Sequence, residues 1–298
     1  MSKKMGIINV LKPPGMSSFD IVNWIKKNLD IAKIGHTGTL DPRATGVLPI
    51  CIGKATKVIP HLPEGFKEYI GEVTLGRVTT TLDAEGEVVS SSKKWEELNE
   101  FQIRKAVNKF KGVIDQIPPM YSALKYDGQR LYKMARKGKK VKRDPRRVNI
   151  EEIEVLSVEL PTVRIRVKCS KGTYIRSLAR DIGNELSCGA FLSFLIRTKS
   201  GPFEIEDSYI LKELEKSDKN QDYGFIISPD KPLVYRRIRI KESAYKKAIN
   251  GTYLNKYDFI DWPDLKDGEN VLVYSSEGQF ISISKIDEFV CKPVRVFA

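Results

Sequence analysis

The residue of this sequence best suited to chemistry is Asp41, the lone carboxylate of a constrained segment. Residues 35–46 read G-H-T-G-T-L-D-P-R-A-T-G and hold three glycines, one proline and one of the chain's two histidines. Glycines let the backbone approach a ligand closely, and an Asp-Pro pair favours a turn. From the residues alone, Asp41 is either a turn former or a carboxylate held on a rigid loop for catalysis.

Five further motifs lie before and after this segment. They are G-I-I-N-V-L-K-P-P-G-M-S-S at 6–18, K-E-Y at 67–69, P-P-M-Y-S-A-L-K at 118–125, C-S-K-G-T-Y-I-R at 169–176 and L-I-R at 195–197. Together with the Asp41 segment, and in this order, they resemble the motifs of the tRNA pseudouridine-55 synthases, the TruB family. The resemblance is strong over the first three quarters of the chain and weaker beyond.

The resemblance implies a role for each of several side chains. Asp41 becomes the catalytic residue, and Arg176 its counter-charge, because a carboxylate in a closed pocket needs one to stay ionised. Tyr69 stacks on the uracil ring, and we hypothesise that it handles the proton lost from C5. The implied substrate-binding residues are His36, which fills the place of the extruded base, Tyr174 and Leu195, which line the pocket, and Lys12 and Arg197. Lys12, with Pro13, is expected to buttress the catalytic loop.

The implied reaction breaks the N-glycosidic bond of uridine, turns the base over and rejoins it through carbon 5. One positioned carboxylate suffices, so no cofactor and no metal are expected. The carboxylate attacks ribose C1′, attacks base C6, or assists formation of a glycal; the sequence leaves these three routes open. Because the target lies inside a folded T-loop, the uridine must first be extruded from the stack.

A basic segment at residues 120–148 indicates a polyanionic partner. The chain carries a formal charge of +13 with a pI near 9.4, and residues 121–148 hold eleven Lys or Arg against two Asp. This excess repels itself unless phosphates neutralise it. The segment resembles the family's RNA-binding thumb, and the cations assigned to RNA are Lys125, Arg130, Lys133, Arg136, Lys139, Lys140, Lys142 and Arg143.

The cysteines and the N-terminus point to a soluble cytoplasmic protein. The four cysteines are scattered, with no C-x-x-C spacing and no histidine in a zinc-ligand pattern. The apolar run at residues 7–11 is too short for a signal peptide, and no stretch approaches the length of a membrane span.

The periodicity predicts an α+β fold with a mixed or antiparallel central sheet, as in the pseudouridine synthase fold. Strands are expected at 7–11, 47–52, 67–76, 148–158 and 163–169, with residues 86–90 forming an antiparallel strand beside 67–76. Helices are expected after Ser17, which can form a capping box with Asp20, across 99–110, and after 172–173. A polar, proline-containing stretch at 216–232 is interpreted as a linker.

These boundaries predict a catalytic domain at residues 1–230 and a small β-rich, PUA-like RNA-binding domain at 231–298. The resemblance implies a tRNA partner, engaged at its T-arm, and a monomer that needs no protein partner. An RNA-folding factor that grips tRNA without chemistry is the alternative function. A relative that modifies other RNAs together with protein partners is disfavoured, because the chain has no Lys-rich tail or long extension.

Overall fold

A computed structural model describes residues 4–63, 65–139 and 141–298 of the chain, which form a large and a small β-sheet flanked by helices. The strands are β1 (Gly6–Lys12), β2 (Ile34–His36), β3 (Thr45–Ile52), β4 (Lys67–Leu75), β5 (Arg77–Thr79), β6 (Val88–Ser91), β7 (Gly112–Gln116), β8 (Lys125–Tyr126), β9 (Gln129–Arg130), β10 (Arg146–Glu159), β11 (Thr162–Cys169), β12 (Ala190–Ser200), β13 (Phe203–Glu204), β14 (Ile226–Ile227), β15 (Arg236–Arg239), β16 (Leu254–Asn255), β17 (Asn270–Tyr274), β18 (Phe280–Asp287) and β19 (Val290–Val296). The α-helices are α1 (Ser18–Asn28), α2 (Glu100–Asn108), α3 (Leu131–Ala135), α4 (Ile175–Glu185), α5 (Leu211–Lys219) and α6 (Tyr245–Ile249).

The larger sheet has ten strands in the order β14-β1-β3-β12-β4-β11-β10-β7, with β2 beside β3 and β13 beside β12. Its pairings are antiparallel except for the parallel contact between β3 and β12. The predicted α+β class with a mixed sheet is therefore confirmed. The strands β4 and β11 alternate buried and less buried residues, as expected for a sheet with one face on the core.

Three helices begin where the sequence predicts. The Ser17 hydroxyl accepts from the backbone N–H of Asp20, and the Asp20 carboxylate accepts from the N–H of Ser17, so the predicted capping box starts α1. Asn99 caps α2 in the same manner. Helix α4 follows directly after Tyr174 and buries Leu178 and Ile182 against the sheet. Along the described chain, no helix is long and apolar enough to cross a membrane.

Two local predictions were wrong. The stretch 216–232 is not a linker, because it contains the end of α5 and the strand β14, which pairs with β1 at the edge of the larger sheet. The strand near 86–90 pairs with β5 and not with β4, which lies between β11 and β12. Strand β12, at the centre of the sheet, was not predicted, since its mixed polar and apolar residues give no clear alternation.

The smaller sheet has the order β15-β17-β18-β19-β16, so the last part of the chain is β-rich as expected. One face packs on helix α6 to form a separate apolar cluster. Its other face supplies Leu272, Phe280 and Phe297 to a cluster shared with Val47 and Cys51 of β3. The two sheets are thus joined by a common core at the back of the strand that follows the Asp41 segment.

Candidate active site

Asp41 lies in the loop between β2 and β3, where the Asp-Pro pair forms the predicted turn. The backbone N–H of Ala44 donates to the Asp41 carbonyl (3.1 Å). The Ser18 hydroxyl holds the preceding residue from both sides, because it accepts from the Leu40 N–H (2.8 Å) and donates to the Leu40 carbonyl (2.9 Å). The catalytic candidate is therefore presented by a loop whose backbone is fixed on each side.

Two buried cations bind backbone carbonyls in this loop and in the segments next to it. The Lys12 ammonium donates to the carbonyls of Pro13, Met16 and Pro42. The Arg197 guanidinium donates to the carbonyls of Val47, Thr39 and Gly38. Both side chains are 0% exposed, so a substrate contact for either would require the loop to open.

Arg176 joins Asp41 to the segments that carry Asp83 and Tyr121. Its Nε and one terminal nitrogen contact the two Asp41 carboxylate oxygens at 2.9 and 3.0 Å, a bidentate pairing. The other terminal nitrogen donates to the Asp83 carboxylate (3.2 Å) and to the Thr81 carbonyl (3.2 Å). The terminal nitrogen that contacts Asp41 also donates to the Tyr121 carbonyl (2.8 Å). All three guanidinium nitrogens are engaged, so the positions of Arg176 and Asp41 are fixed together.

The start of helix α4 is fixed by the end of β7. The Gln116 side chain, 1% exposed, accepts from the Tyr174 N–H (2.8 Å) and donates to the Tyr174 carbonyl (3.1 Å). One turn further, the Ser177 hydroxyl donates to the Ile117 carbonyl. Because Arg176 lies between these two attachments, its side chain leaves the helix from a backbone that cannot readily rotate.

The pKa of Asp41 depends on its burial and on its pairing with Arg176. Burial raises the pKa of the Asp41 carboxyl, and the positive charges of Arg176 and Lys12 act against this rise. The bidentate pairing with the guanidinium favours the ionised form of the carboxylate. About 40% of the Asp41 side chain remains exposed, whereas Arg176 is 6% exposed, so the carboxylate is the accessible member of the pair.

Two of the remaining predicted pocket residues lie on strands of the larger sheet, and the third lies at the start of α4. Tyr69 on β4 and Leu195 on β12 are largely buried in the same apolar cluster as Leu40 of the loop. Burial raises the pKa of the Tyr69 phenol, and Arg197 acts against that rise. Tyr174, at the N-cap of α4, is half-buried.

His36 is half-buried at the end of β2, and its Nδ1 is buried with no hydrogen-bond partner among the residues described. Burial and the charges of Arg197 and Lys67 lower its pKa, so the imidazole is neutral at pH 7. A neutral ring with an unpaired nitrogen is suited to stacking or to a hydrogen bond with an incoming base.

The thumb consists of the β8–β9 hairpin and the short helix α3, anchored by the buried side chain of Leu131. Tyr121, whose carbonyl accepts from Arg176, stands at its base. Arg143 turns inward instead, donating to the Pro118 carbonyl at 3.1 Å, and Lys140 lies outside the described residues. The other predicted RNA-binding cations are exposed: Lys125, Arg130, Lys133, Arg136, Lys139 and Lys142.

The sequence analysis missed Asp83, Gln116 and Ser18. Each contacts a predicted site residue or the loop that carries it, but none belongs to a spacing that predicts such a contact. The only available signal was position: Gln116 stands two residues before the P-P-M-Y motif, and Ser18 is the last residue of the motif at 6–18.

Comparisons with solved structures show the same fold in proteins of RNA-containing or RNA-modifying complexes. The chain resembles a protein in the structure of an H/ACA RNP bound to a substrate RNA containing 2'-deoxyuridine, with a TM-score of 0.72, 28% identity, and coverage of 98% of this chain and 85% of that one. It also resembles a chain of the archaeal box H/ACA sRNP Nop10-Cbf5 complex, with a TM-score of 0.71, 27% identity, and coverage of 98% and 86%.

A family model described as TruB family pseudouridylate synthase (N terminal domain) matches residues 26–175, and one described as tRNA pseudouridylate synthase B C-terminal domain matches residues 176–226. Fold and site therefore define a pseudouridylate synthase. Curated relatives named tRNA pseudouridine synthase B include those of Clostridium tetani (46% identity; 94% of this chain, 95% of the relative) and Clostridium kluyveri (43%; 98% and 99%). The chain belongs to the TruB family, which confirms the resemblance read from its motifs.

Proposed function

We propose that this protein isomerises uridine to pseudouridine at position 55 in the T-loop of tRNA, with Asp41 as the catalytic carboxylate and no cofactor. The observation that carries the proposal is the accessible Asp41 carboxylate held bidentately by the buried Arg176 guanidinium. The curated relatives named tRNA pseudouridine synthase B support tRNA as the substrate.

Asp41 supplies the negatively charged oxygen that the reaction needs at ribose C1′ or at base C6. Arg176 orients this oxygen and keeps it ionised, so that the carboxylate does not have to be reoriented during the reaction. Tyr69 and Leu195 form the apolar wall against which the uracil ring stacks. His36 fills the space that the extruded base leaves in the T-loop, which offsets part of the few kcal/mol lost on unstacking.

The exposed cations of the thumb contact phosphates of the T-arm, and the smaller sheet extends the RNA-binding surface. Tyr121 links the base of the thumb to Arg176, so RNA held by the thumb lies next to the catalytic pair. We propose that the enzyme acts as a monomer in the cytoplasm without an obligate protein partner, which sedimentation of the active protein with and without tRNA would test.

The test uses purified protein and unmodified tRNA carrying tritium at uridine C5, without added cofactor. Release of tritium, followed by mapping of the modified position, measures the reaction and its site together. Asp41→Asn keeps the shape of the side chain but removes its charge, and is expected to abolish release while leaving tRNA affinity within about threefold. Asp181→Asn, a carboxylate on α4 paired with the neighbouring Arg180, is the matched control and keeps full activity.

Each outcome is informative. Release that persists in Asp41→Asn contradicts the assigned catalytic residue, and release from a tRNA whose uridine 55 is replaced by cytidine contradicts the assigned position. Tight binding of tRNA by the natural protein without any release favours the RNA-folding factor instead.

A further inference from the structure

A small cavity adjoins the loop that carries Asp41, and the roles proposed above leave it unused. Its volume is about 80 Å³, and Thr37, Lys67, Ser200 and Gly201 are among the residues that line it. It lies between the start of β4, the end of β12 and the loop after β2. The cavity is thus beside the part of the loop that Arg197 clamps.

Lys67 brings a second cation to this part of the loop. A Cβ on Gly38 would lie 2.9 Å from the Lys67 ammonium and 3.8 Å from an Arg197 terminal nitrogen, so the two cations converge on one glycine. Across residues 4–63, 65–139 and 141–298, the Lys67 ammonium has no hydrogen bond or ion pair, and the same holds for the hydroxyls of Thr37 and Ser200.

An anion bound in the cavity would relieve the repulsion between these two cations. Lys67 is half-buried and lines the cavity, whereas the Arg197 guanidinium beside it is fully buried. Arg197 brings no negative charge to the cavity, since its guanidinium donates to backbone carbonyls. Burial and the Arg197 charge accordingly lower the pKa of Lys67 to about 8.

We propose that this cavity binds one backbone phosphate of the RNA strand adjacent to the uridine that enters the active site. The phosphate oxygens accept from the Lys67 ammonium and from the hydroxyls of Thr37 and Ser200. Gly38 and Asp41 are three residues apart, which places them at most ~11 Å from each other, a distance spanned by one or two nucleotides. The inference rests on the proposed function, because it assumes that RNA occupies the cleft at Asp41.

The experiment measures binding of T-arm hairpins in which single phosphates around the target uridine are replaced by neutral methylphosphonates. Replacing the phosphate that occupies the cavity is expected to weaken binding by the natural protein about tenfold and to leave binding by Lys67→Gln unchanged. On the unmodified hairpin, Lys67→Gln lowers the slope of log affinity against log salt by about 0.7–0.9, the value for one phosphate contact. Lys67→Arg restores most of the affinity.

Lys199→Gln is the matched control, because Lys199 is an exposed lysine of β12 that pairs with Glu204. It is expected to leave the dependence on every methylphosphonate unchanged. Since the methylphosphonate series is also run on the natural protein, the proposal remains testable even if a Lys67 variant does not fold.

The proposal is overturned if no single methylphosphonate weakens binding by the natural protein, or if the same one weakens Lys67→Gln equally. Tritium release by the natural protein is scored separately, so failure of the proposed reaction and failure of the phosphate site are distinguishable.

Discussion

Replacing Gln116 with alanine should slow catalysis without removing any group that touches RNA. The Gln116 amide is buried and attaches β7 to the backbone of Tyr174, two residues before Arg176. In the alanine variant the Tyr174 carbonyl still accepts from the Leu178 N–H (3.0 Å). The Tyr174 N–H, in contrast, loses the acceptor that Gln116 provides.

The magnitude follows from that single lost acceptor. An unsatisfied buried N–H costs about 1–3 kcal/mol, and lost packing of the side chain adds roughly 1 kcal/mol. The start of α4 relieves this cost by shifting toward another acceptor, which moves Arg176 and with it the Asp41 carboxylate. A misplacement of the order of 1 Å lowers kcat by about 100-fold, so a loss of 10- to 100-fold is expected with KM nearly unchanged.

The assay combines single-turnover tritium release with filter binding of tRNA and thermal unfolding. The control is Gln102→Ala, which also removes a backbone cap, at the start of α2, and should lower stability without changing the rate. A Gln116→Ala enzyme that is destabilised as expected but reacts within about twofold of the natural rate would refute the reasoning. In that case Arg176 is held by its own contacts alone.

Lys133→Gln, at an exposed thumb position, should lower the slope of log affinity for tRNA against log salt by about 0.7–0.9. Arg143 faces Pro118, so Arg143→Gln should leave this slope unchanged. Equal slopes in the two variants would contradict the inward position of Arg143. Because the pKa of Lys67 is lowered to about 8, its charge is present at pH 7 and lost by pH 9, so KM for the T-arm hairpin should rise over this range, and less so in Lys67→Gln. Deleting residues 232–298 uncovers the apolar cluster shared by the two sheets. The exposed apolar surface should lower the free energy of unfolding by several kcal/mol, at ~25 cal/mol per Å², and give an insoluble or less thermostable protein. A soluble fragment with an unchanged unfolding temperature would refute this.

The parts of the site that could be predicted from the sequence are those written in local signals. The Asp-Pro turn at Asp41, the capping box at Ser17 and the helix after Tyr174 each depend on a few neighbouring residues. The pairing of Asp41 with Arg176, 135 residues apart, came from the family motifs. No periodicity or spacing of either residue would have indicated it.

The parts that could not be predicted depend on contacts between distant segments. Asp83 follows a Thr-rich turn and reads as a loop carboxylate until the fold brings it to Arg176. Gln116 carries no local signal in the sequence, although its amide fixes the start of α4. Arg143 belongs to a run of cations that all look exposed, and only the tertiary structure shows which one faces Pro118.

Strand β3 leaves the Asp41 loop with apolar cores on both of its faces. Leu48, Ile50 and Ile52 point into the core of the larger sheet, while Val47 and Cys51 point into the cluster shared with the smaller one. A polar or oversized residue at any of these positions disturbs one core or the other. The strand that follows Asp41 therefore tolerates few substitutions, and if the proposed function holds, changes that adapt the protein to a different RNA are expected at exposed positions such as those of the thumb.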